Sequence, residues 1–534
     1  MKGLHRIKLR SREPLKLICG IFLITILLIF PLYYEDYYFD IADAKYRFYW
    51  VASLVFLAIT TAIIIKERLC VSTSNNPKND PGSSPLSFMR CFRDSWPVWL
   101  LLVFWGNSVI STIQSDYIYE SFWGNEGRYC GLFLLSIYTW TTIALIFNAN
   151  VSELYLNVFL VSSFLVEALG IFDYFGLDIL QFKTWGEVVG EMPLFISTIG
   201  NLNFYTAFLS MSLAVAAVFY ILEDRFYHRI IYFFLSAVAY MGIICGQSDN
   251  AYISIGTLFT FLPFAFFTSR EKIFRVIVQY TLCAALMYIL GFISVTVLGK
   301  HDSGILQLAY QRCEFLILLI LLILASTVLF LWQKKSDDNA RVNDSVLIRR
   351  IQIAWRILFA SIALTICLVL IDANFLGHAE RYIDVSNYLV INDDWGTERG
   401  YAWRIGLEAW WSQPWMHRLF GFGPETYGIL TWPYRIDSRQ SYGFIYDSMH
   451  NEYLQNLVTM GPVGMLSYIG MIIGTIITVS KTAREEPWLF AIAAAVTCYA
   501  MQATVNISMP MVAPVFWALI GMGISAVRRE SSSI

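Results

Sequence analysis

The feature that most constrains this sequence is a series of apolar runs, each of roughly 18 or more residues, that recur along its whole length. A run of this length crosses about 30 Å of hydrocarbon as a helix, which satisfies its own backbone hydrogen bonds inside a bilayer. The chain is 57% hydrophobic and 15% charged, with a mean hydropathy of +0.56. The sequence therefore predicts an all-α, polytopic integral membrane protein with about 14 transmembrane helices. The predicted spans lie near 16–34, 48–65, 96–113, 130–148, 152–172, 203–222, 230–246, 251–268, 276–298, 314–332, 353–371, 456–480, 488–504 and 509–526.

Lysine and arginine are distributed unevenly between alternate loops. With the N-terminus placed inside, the inner loops and tails hold about 25 of the 38 Lys and Arg residues, and the outer loops hold about 12. Because basic residues accumulate in short cytoplasmic loops, both termini are predicted to lie in the cytoplasm. The first apolar run follows a basic start and lacks a small-x-small cleavage site, so it is predicted to be an uncleaved span.

Two polar stretches interrupt the apolar runs. Residues 72–85, STSNNPKNDPGSSP, predict a flexible cytoplasmic linker. Residues 372–452 contain six of the 17 Trp residues and predict a large extracytoplasmic loop with short helices, hereafter the large loop. We therefore divide the chain into spans 1–11 at 1–371, the large loop at 372–452, and spans 12–14 at 453–534.

Composition also argues against some classes of function. The formal net charge is −2, which gives no indication of nucleic-acid binding. The nine cysteines are scattered and include no Cys-x-x-Cys pair, so neither a disulfide framework nor a thiolate metal site is predicted.

The segment MHNEYLQNLVTMGPVG at 449–464 places a polar cluster where span 12 begins. An imidazole with a near-neutral pKa can accept a proton from a sugar hydroxyl, so His450 is a candidate base. The alternative is a polar residue at the membrane interface without a function. Asn451 and Glu452 are candidate substrate-binding residues that would also orient the ring or cap the helix, and capping is the expected role for at least one of them.

Two arginines in the large loop depart from the positive-inside trend. A guanidinium suits phosphate or pyrophosphate oxygens, so Arg399 and Arg404 are candidate cations for such a ligand. They lie in TERGYAWRIGLEAWW, at 397–411, which predicts a helix. Because Glu408 follows Arg404 by four residues, an ion pair is the favoured interpretation there. For Arg399, pairing with nearby acids and ligand binding both remain open.

Other polar residues gather at predicted outer ends of spans. STIGNLNFYTAFL places Asn201 and Asn203 before span 6, WGNEGRYCGL places Arg128 before span 4, and GQSDNAY places Asp249 between spans 7 and 8. Each is a candidate substrate-binding residue, although the two asparagines also suit plain helix starts. Within the spans charge is sparse, and Glu167 is the clearest case.

These segments, in this order, resemble the bacterial O-antigen ligase and polymerase family of polytopic membrane glycosyltransferases. RGYAW, LFGFGPETY and HNEYLQNLVTMGPVGML are similar to its Arg-x-x-x-aromatic, Gly-x-Gly-Pro and His-Asn-Glu-x-Leu…Gly-x-x-Gly sequences. IGNLN is similar to its Gly-Asn-x-Asn element, and GRYCGL also fits. The resemblance covers residues 124–480.

The resemblance implies a GT-C-like fold in the bacterial cytoplasmic membrane, with an extracytoplasmic active site under the large loop. It implies inverting transfer of a glycan from an undecaprenyl-pyrophosphate carrier to a hydroxyl of a glycan or lipid-anchored acceptor, among membrane lipids and without a cofactor or metal. In that family His450 would be the base, and Arg399 would bind the pyrophosphate leaving group. Polymerase and ligase are not distinguished.

The sequence departs from the family pattern at one position. Many members carry a second Arg in a Ser-Arg-Gly-like turn, where this chain has SDNA with Asp249. Arg128, Arg404 or Lys300 would then meet the pyrophosphate charge, or the donor differs. The alternative function is a transporter or flippase of lipid-linked oligosaccharide or polysaccharide without catalysis, and it predicts charged or Pro/Gly-broken positions at mid-membrane depth. An envelope scaffold is a third hypothesis.

Overall fold

A computed structural model describes residues 13–38, 40–72, 96–125, 127–182, 195–299, 305–334 and 341–533. Within these ranges, the fourteen predicted apolar runs coincide with fourteen helices, named α1 to α14. Their bounds are Glu13–Ile24, Ile41–Ser72, Trp96–Ile113, Leu132–Asn148, Glu153–Tyr174, Leu202–Leu222, Phe226–Cys245, Asp249–Phe266, Arg270–Phe292, Cys313–Lys334, Arg341–Asn374, Glu452–Thr482, Leu489–Gln502 and Ala513–Ser533. The predicted linker after Ser72 and the candidate cation Lys300 lie outside the described residues.

The all-α class is confirmed. Within the described ranges, ten helical segments are long and apolar enough to cross a membrane. They are α2, α3, α5 to α7 and α10 to α12, together with α1 extended by its following turns to Leu32 and α9 extended by its following turn to Val297. The helices α4 and α13 are apolar but shorter. A polytopic membrane protein follows from these lengths, while the number of fourteen spans stays a prediction.

Shorter elements complete the fold. The structure has π-helical turns at Thr25–Ile29 and Ile293–Val297 and 3₁₀ turns at Phe30–Leu32, Ala379–Val385, Trp432–Tyr434 and Ala503–Val505. Short α-helices lie at Ile118–Trp123, Ile305–Gln311, Ser386–Leu389, Trp395–Trp411, Trp415–Phe420, Tyr427–Leu430 and Arg435–Tyr442. Before α6, β1 (Phe195–Ile196) pairs antiparallel with β2 (Gly200–Asn201), with Phe195 opposite Asn201.

The helix α6 lies at the centre of the bundle. Of its most apolar 18 residues, 94% are buried, and it packs against α5, α7, α8 and α13. Its Ala- and Ser-rich sequence faces the Ala-rich α13, and small side chains allow close approach of membrane helices. By contrast, none of the corresponding window of α11 is buried. The bundle is therefore assembled around α6, with α11 at its periphery.

The helix α12 contains the break that positions the large loop. Gly461 has φ +67° and ψ 176°, and Pro462 follows it, so the helical hydrogen bonding is interrupted there. The carbonyl of Thr459 instead accepts from the backbone N–H groups of Phe422 (2.9 Å) and Gly423 (3.0 Å). From α3, Asn107 donates to the Met460 carbonyl at 2.7 Å. The broken turn thus anchors the Gly-x-Gly-Pro segment of the large loop against the bundle.

Candidate active site

Several connections between helices meet the large loop at one end of the bundle. Arg128, before α4, forms an ion pair with Asp447 of the loop. Asp249, at the start of α8, accepts a hydrogen bond of 3.1 Å from the Tyr388 hydroxyl. These contacts bring the segments before α4 and α8 to the face of the large loop. The polar residues singled out in the sequence are therefore gathered at this end of the molecule.

Two loop segments bring His450 towards Arg399. Arg399 and Trp403 lie one turn apart on the helix Trp395–Trp411. The indole Nε1 of Trp403 donates to the carbonyl oxygen of Met449 at 2.8 Å. The residue directly before His450 is thus tied to the helix that carries Arg399.

His450 has a strained backbone and an environment that disfavours protonation. Its φ of +47° is unusual for a residue other than glycine, and such conformations cluster at functional sites. Burial, together with the charges of Arg128 and Arg399, lowers the pKa of its imidazole to about 4, while Asp447 opposes this effect. Among the described residues the half-buried ring has no hydrogen-bond partner. The ring is therefore a neutral imidazole at neutral pH, with its nitrogens open to a substrate.

Arg399 follows a short left-handed turn. Gly396, Thr397 and Glu398 all have positive φ, between 59° and 69°. Nη1 of Arg399 donates to the Gly396 carbonyl at 3.0 Å, and no carboxylate forms an ion pair with this guanidinium within the described ranges. Burial lowers the pKa of Arg399, and the charge of Asp249 opposes that effect. Most of the donor capacity of this half-buried cation is left for a ligand.

Arg404 lies in an ion-pair network. Its Nε and Nη2 each donate to Asp393 at 2.8 Å, and its Nη1 lies 3.3 Å from Glu408. Its guanidinium also lies 5.2 Å from the ring centre of Tyr401. Hydrogen bonding to Arg404 lowers the pKa of Asp393. The favoured interpretation of Arg404 as an ion-pair partner is confirmed. A role for Arg404 in substrate binding stays a prediction.

Two acids that the sequence did not single out, Asp447 and Glu425, face Arg128. The Arg128 side chain is only 12% exposed, whereas that of its partner Asp447 is 51% exposed. Glu425, in the Gly-Pro-Glu turn, has φ +61°. Burial raises the pKa of Glu425, and the charge of Arg128 opposes that effect. In the sequence, the Gly-Pro pair before Glu425 indicates only a turn, so the pairing required the folded structure.

A small cavity of about 40 Å³ adjoins Arg128 between α3, α4, α12 and α14. Its polar lining includes Glu425, Glu452, Gln455 and Ser508. A space of this size accommodates a few water molecules. The cavity is too small for a sugar.

The asparagines before α6 have structural contacts. The side chain of Asn201 accepts from the backbone N–H of Asn203 at 2.9 Å and so caps α6. The side-chain oxygen of Asn203 accepts from Ser248 at 2.7 Å and from Asn250 at 3.2 Å. The Gly-Asn-x-Asn element therefore joins α6 to α8, and a role in substrate binding stays a prediction.

The neighbours of His450 divide into a cap and a buried acid. The Asn451 side chain accepts from the backbone N–H groups of Tyr453 and Leu454, both at 3.0 Å, which confirms the expected capping. Glu452 is buried and accepts a 2.5 Å hydrogen bond from the Tyr468 hydroxyl. Both residues fix the start of α12 and thereby the position of His450.

Two further findings concern metals and charge within the helices. Among the described residues, no group of three or more His, Cys, Asp or Glu side chains is arranged to bind a metal ion. Glu167 is buried in α5 and accepts a 2.6 Å hydrogen bond from Ser212 of α6. This carboxyl group therefore contributes to packing between two helices.

Comparison with known proteins gives one family match. Residues 302–469 match the family model described as O-antigen ligase. The matched segment contains the large loop, the candidate residues Arg399 and His450, and the first half of α12. No curated protein matches the chain.

Proposed function

The O-antigen ligase match over residues 302–469 supports the assignment of this chain to the O-antigen ligase and polymerase family, and from it we propose a specific reaction. The protein transfers a glycan from an undecaprenyl-pyrophosphate carrier to a hydroxyl acceptor at the outer face of the bacterial cytoplasmic membrane. The membrane-spanning helices support a lipid-linked donor, because the polyprenyl tail stays in the bilayer.

In the proposed reaction, His450 is the general base. The acceptor oxygen forms a bond to the anomeric carbon while the bond from that carbon to the phosphate oxygen breaks. The hydroxyl proton passes to the imidazole, and the electron pair leaves with the carrier diphosphate. A single displacement of this kind inverts the anomeric configuration. The lowered pKa of His450 keeps the ring unprotonated before the substrates bind, which is the state a general base requires, and it also makes the free imidazole a weak base.

Arg399 and Arg128 are the proposed cations for the departing diphosphate. Charge develops on the leaving oxygen in the transition state, and fixed guanidinium groups stabilise that charge. Both arginines lie on segments tied to the chain beside His450, Arg128 through its ion pair with Asp447 and Arg399 through the hydrogen bond from Trp403 to the Met449 carbonyl. This convergence of one base and two cations is the observation that carries the proposal.

The test is transfer by purified protein, using defined lipid-pyrophosphate donors and a panel of carrier-linked and lipid-anchored acceptors. We expect His450→Ala to lower kcat by about 10²- to 10⁴-fold and Arg399→Ala to lower it by about 10²- to 10³-fold. Arg439→Ala is the matched control, since this arginine is exposed in the same loop. The acceptor that reacts distinguishes polymerase from ligase.

The same assay distinguishes the flippase hypothesis from the enzymatic proposal. A flippase moves the donor across the bilayer and leaves it chemically intact. Intact donors with every acceptor, from correctly folded wild-type protein, would contradict the enzymatic proposal. Unchanged transfer by both alanine variants would contradict the assignment of the base and the cation.

A further inference from the structure

We propose that Asp447 is the ion-pair partner of the Arg128 guanidinium in the free protein, and that the donor diphosphate displaces this carboxylate when the donor binds. The inference rests on the proposed function and specifies how the donor site is formed. It assigns Asp447 a role in binding that no sequence motif indicated.

The unequal exposure of the Arg128–Asp447 ion pair supports exchange of the anion. Asp447 is 51% exposed, so a released carboxylate is readily hydrated by water. Arg128 is only 12% exposed, so its guanidinium would be left without adequate solvation. The cation therefore needs a replacement anion whenever Asp447 leaves. A diphosphate meets this requirement, because a guanidinium binds phosphate oxygens with two parallel hydrogen bonds.

The position of Asp447 supports a link to the base. Asp447 lies three residues before His450, and its charge raises the pKa of the imidazole, while Arg128 and Arg399 lower it. Two more acids act on these arginines, since Glu425 faces Arg128 and Asp249 faces Arg399.

Replacing one carboxylate by a diphosphate places more negative charge between the two guanidinium groups. The added charge stabilises the imidazolium that forms as the acceptor is deprotonated. Donor binding therefore prepares the base, and a donor without a diphosphate would leave His450 poorly activated.

Arg404 provides an internal comparison. It too is held by a carboxylate, since two of its nitrogens donate to Asp393 at 2.8 Å. Its side chain is 43% exposed, so loss of the partner leaves it hydrated. Arg404 is not among the charges that lower the pKa of His450. We therefore expect the two ion pairs to respond differently to an added anion.

The experiment measures binding of inorganic pyrophosphate to the full-length purified protein by calorimetry, together with donor KM and kcat. We expect Asp447→Asn to tighten pyrophosphate binding and to lower donor KM by about fivefold, because one competing anion is removed. The value of kcat should stay within about twofold, since the carboxylate is already displaced in the donor complex. Asp447→Glu keeps a carboxylate at this position, so its pyrophosphate binding, donor KM and kcat should match those of the wild-type protein.

Two matched variants make the result decisive. Asp224→Asn removes an exposed partner of Arg275 in another ion pair and should leave pyrophosphate binding unchanged. Asp393→Asn frees Arg404 in the same loop and should also leave it unchanged. Tighter binding in Asp393→Asn but not in Asp447→Asn would overturn the proposal and identify Arg404 as the cation.

Unchanged or weaker pyrophosphate binding in Asp447→Asn would also overturn it, as would a fall in kcat and thermal stability without a lower KM. The binding measurement does not depend on turnover. Loss of the proposed function, seen as no transfer by the wild-type protein, is therefore distinguishable from failure of this inference.

Discussion

His450 is the residue at which local chemistry most directly predicts a measurable pH dependence. The ordinary pKa of histidine is about 6.5, and here burial and two arginine charges lower it to about 4. The unprotonated, reactive form therefore persists in the free enzyme as the pH falls from 8 to 5. As the pH is lowered from 8 to 5, we expect kcat/KM for the donor to show no acidic limb. We expect kcat/KM to fall only near pH 4.

The measurement is a pH profile of kcat/KM with the acceptor held constant. An acidic limb near pH 6.5 would contradict the lowered pKa of the free enzyme. In the donor complex the diphosphate offsets the arginine charges, so the acidic limb of kcat should lie at higher pH than that of kcat/KM. Arg399→Gln, which removes one of the charges, should move the kcat/KM limb upward in the remaining activity.

At the scale of elements, the break in α12 connects the large loop to the bundle. A Cβ atom at Gly461 would lie 2.2 Å from the Leu419 carbonyl oxygen, and its φ of +67° with ψ of 176° suits glycine alone. We expect Gly461→Ala to cost at least about 3 kcal/mol of stability, combining about 1–3 kcal/mol of backbone strain with the clash. The measurements are thermal unfolding in detergent and transfer activity.

Gly443→Ala is the matched control for the break. Gly443 has φ +83°, but a Cβ there meets nothing within 4 Å. Its substitution should cost only about 1 kcal/mol and should leave transfer near the wild-type value. Equal destabilisation by the two substitutions would show that the contact between α12 and the large loop contributes little.

The long helices could be predicted from the sequence because each apolar run carries its own signal. The same holds for the helix around Arg404 and its pairing with Glu408, which depend on a four-residue spacing. The Arg128–Asp447 pair could not be predicted in this way, since 319 positions separate its members. The left-handed turn at Gly396–Glu398 was also missed, because Thr397 and Glu398 rarely adopt positive φ.

For the whole molecule, the alternation of loops predicts which segments share a side. The segments before α4 and α8 and the large loop were all placed outside by the charge rule, and the structure joins them through Arg128–Asp447 and Tyr388–Asp249. The contacts support the grouping of these segments at one end of the bundle. They do not depend on which face of the membrane that end occupies, so the outer location is an expectation from the distribution of basic residues.

Cysteine labelling in intact cells tests that location. In a cysteine-free background, we expect Ser441→Cys, at an exposed position of the large loop, to react with a membrane-impermeant maleimide added outside. Glu485→Cys, exposed in the connection between α12 and α13, should react only after the cells are permeabilised. The physical reason is that α12 separates the two positions and is long and apolar enough to cross the bilayer. The reverse labelling pattern would place His450 and both arginines in the cytosol and contradict transfer at the outer face, whereas labelling of both positions from outside would contradict the crossing by α12.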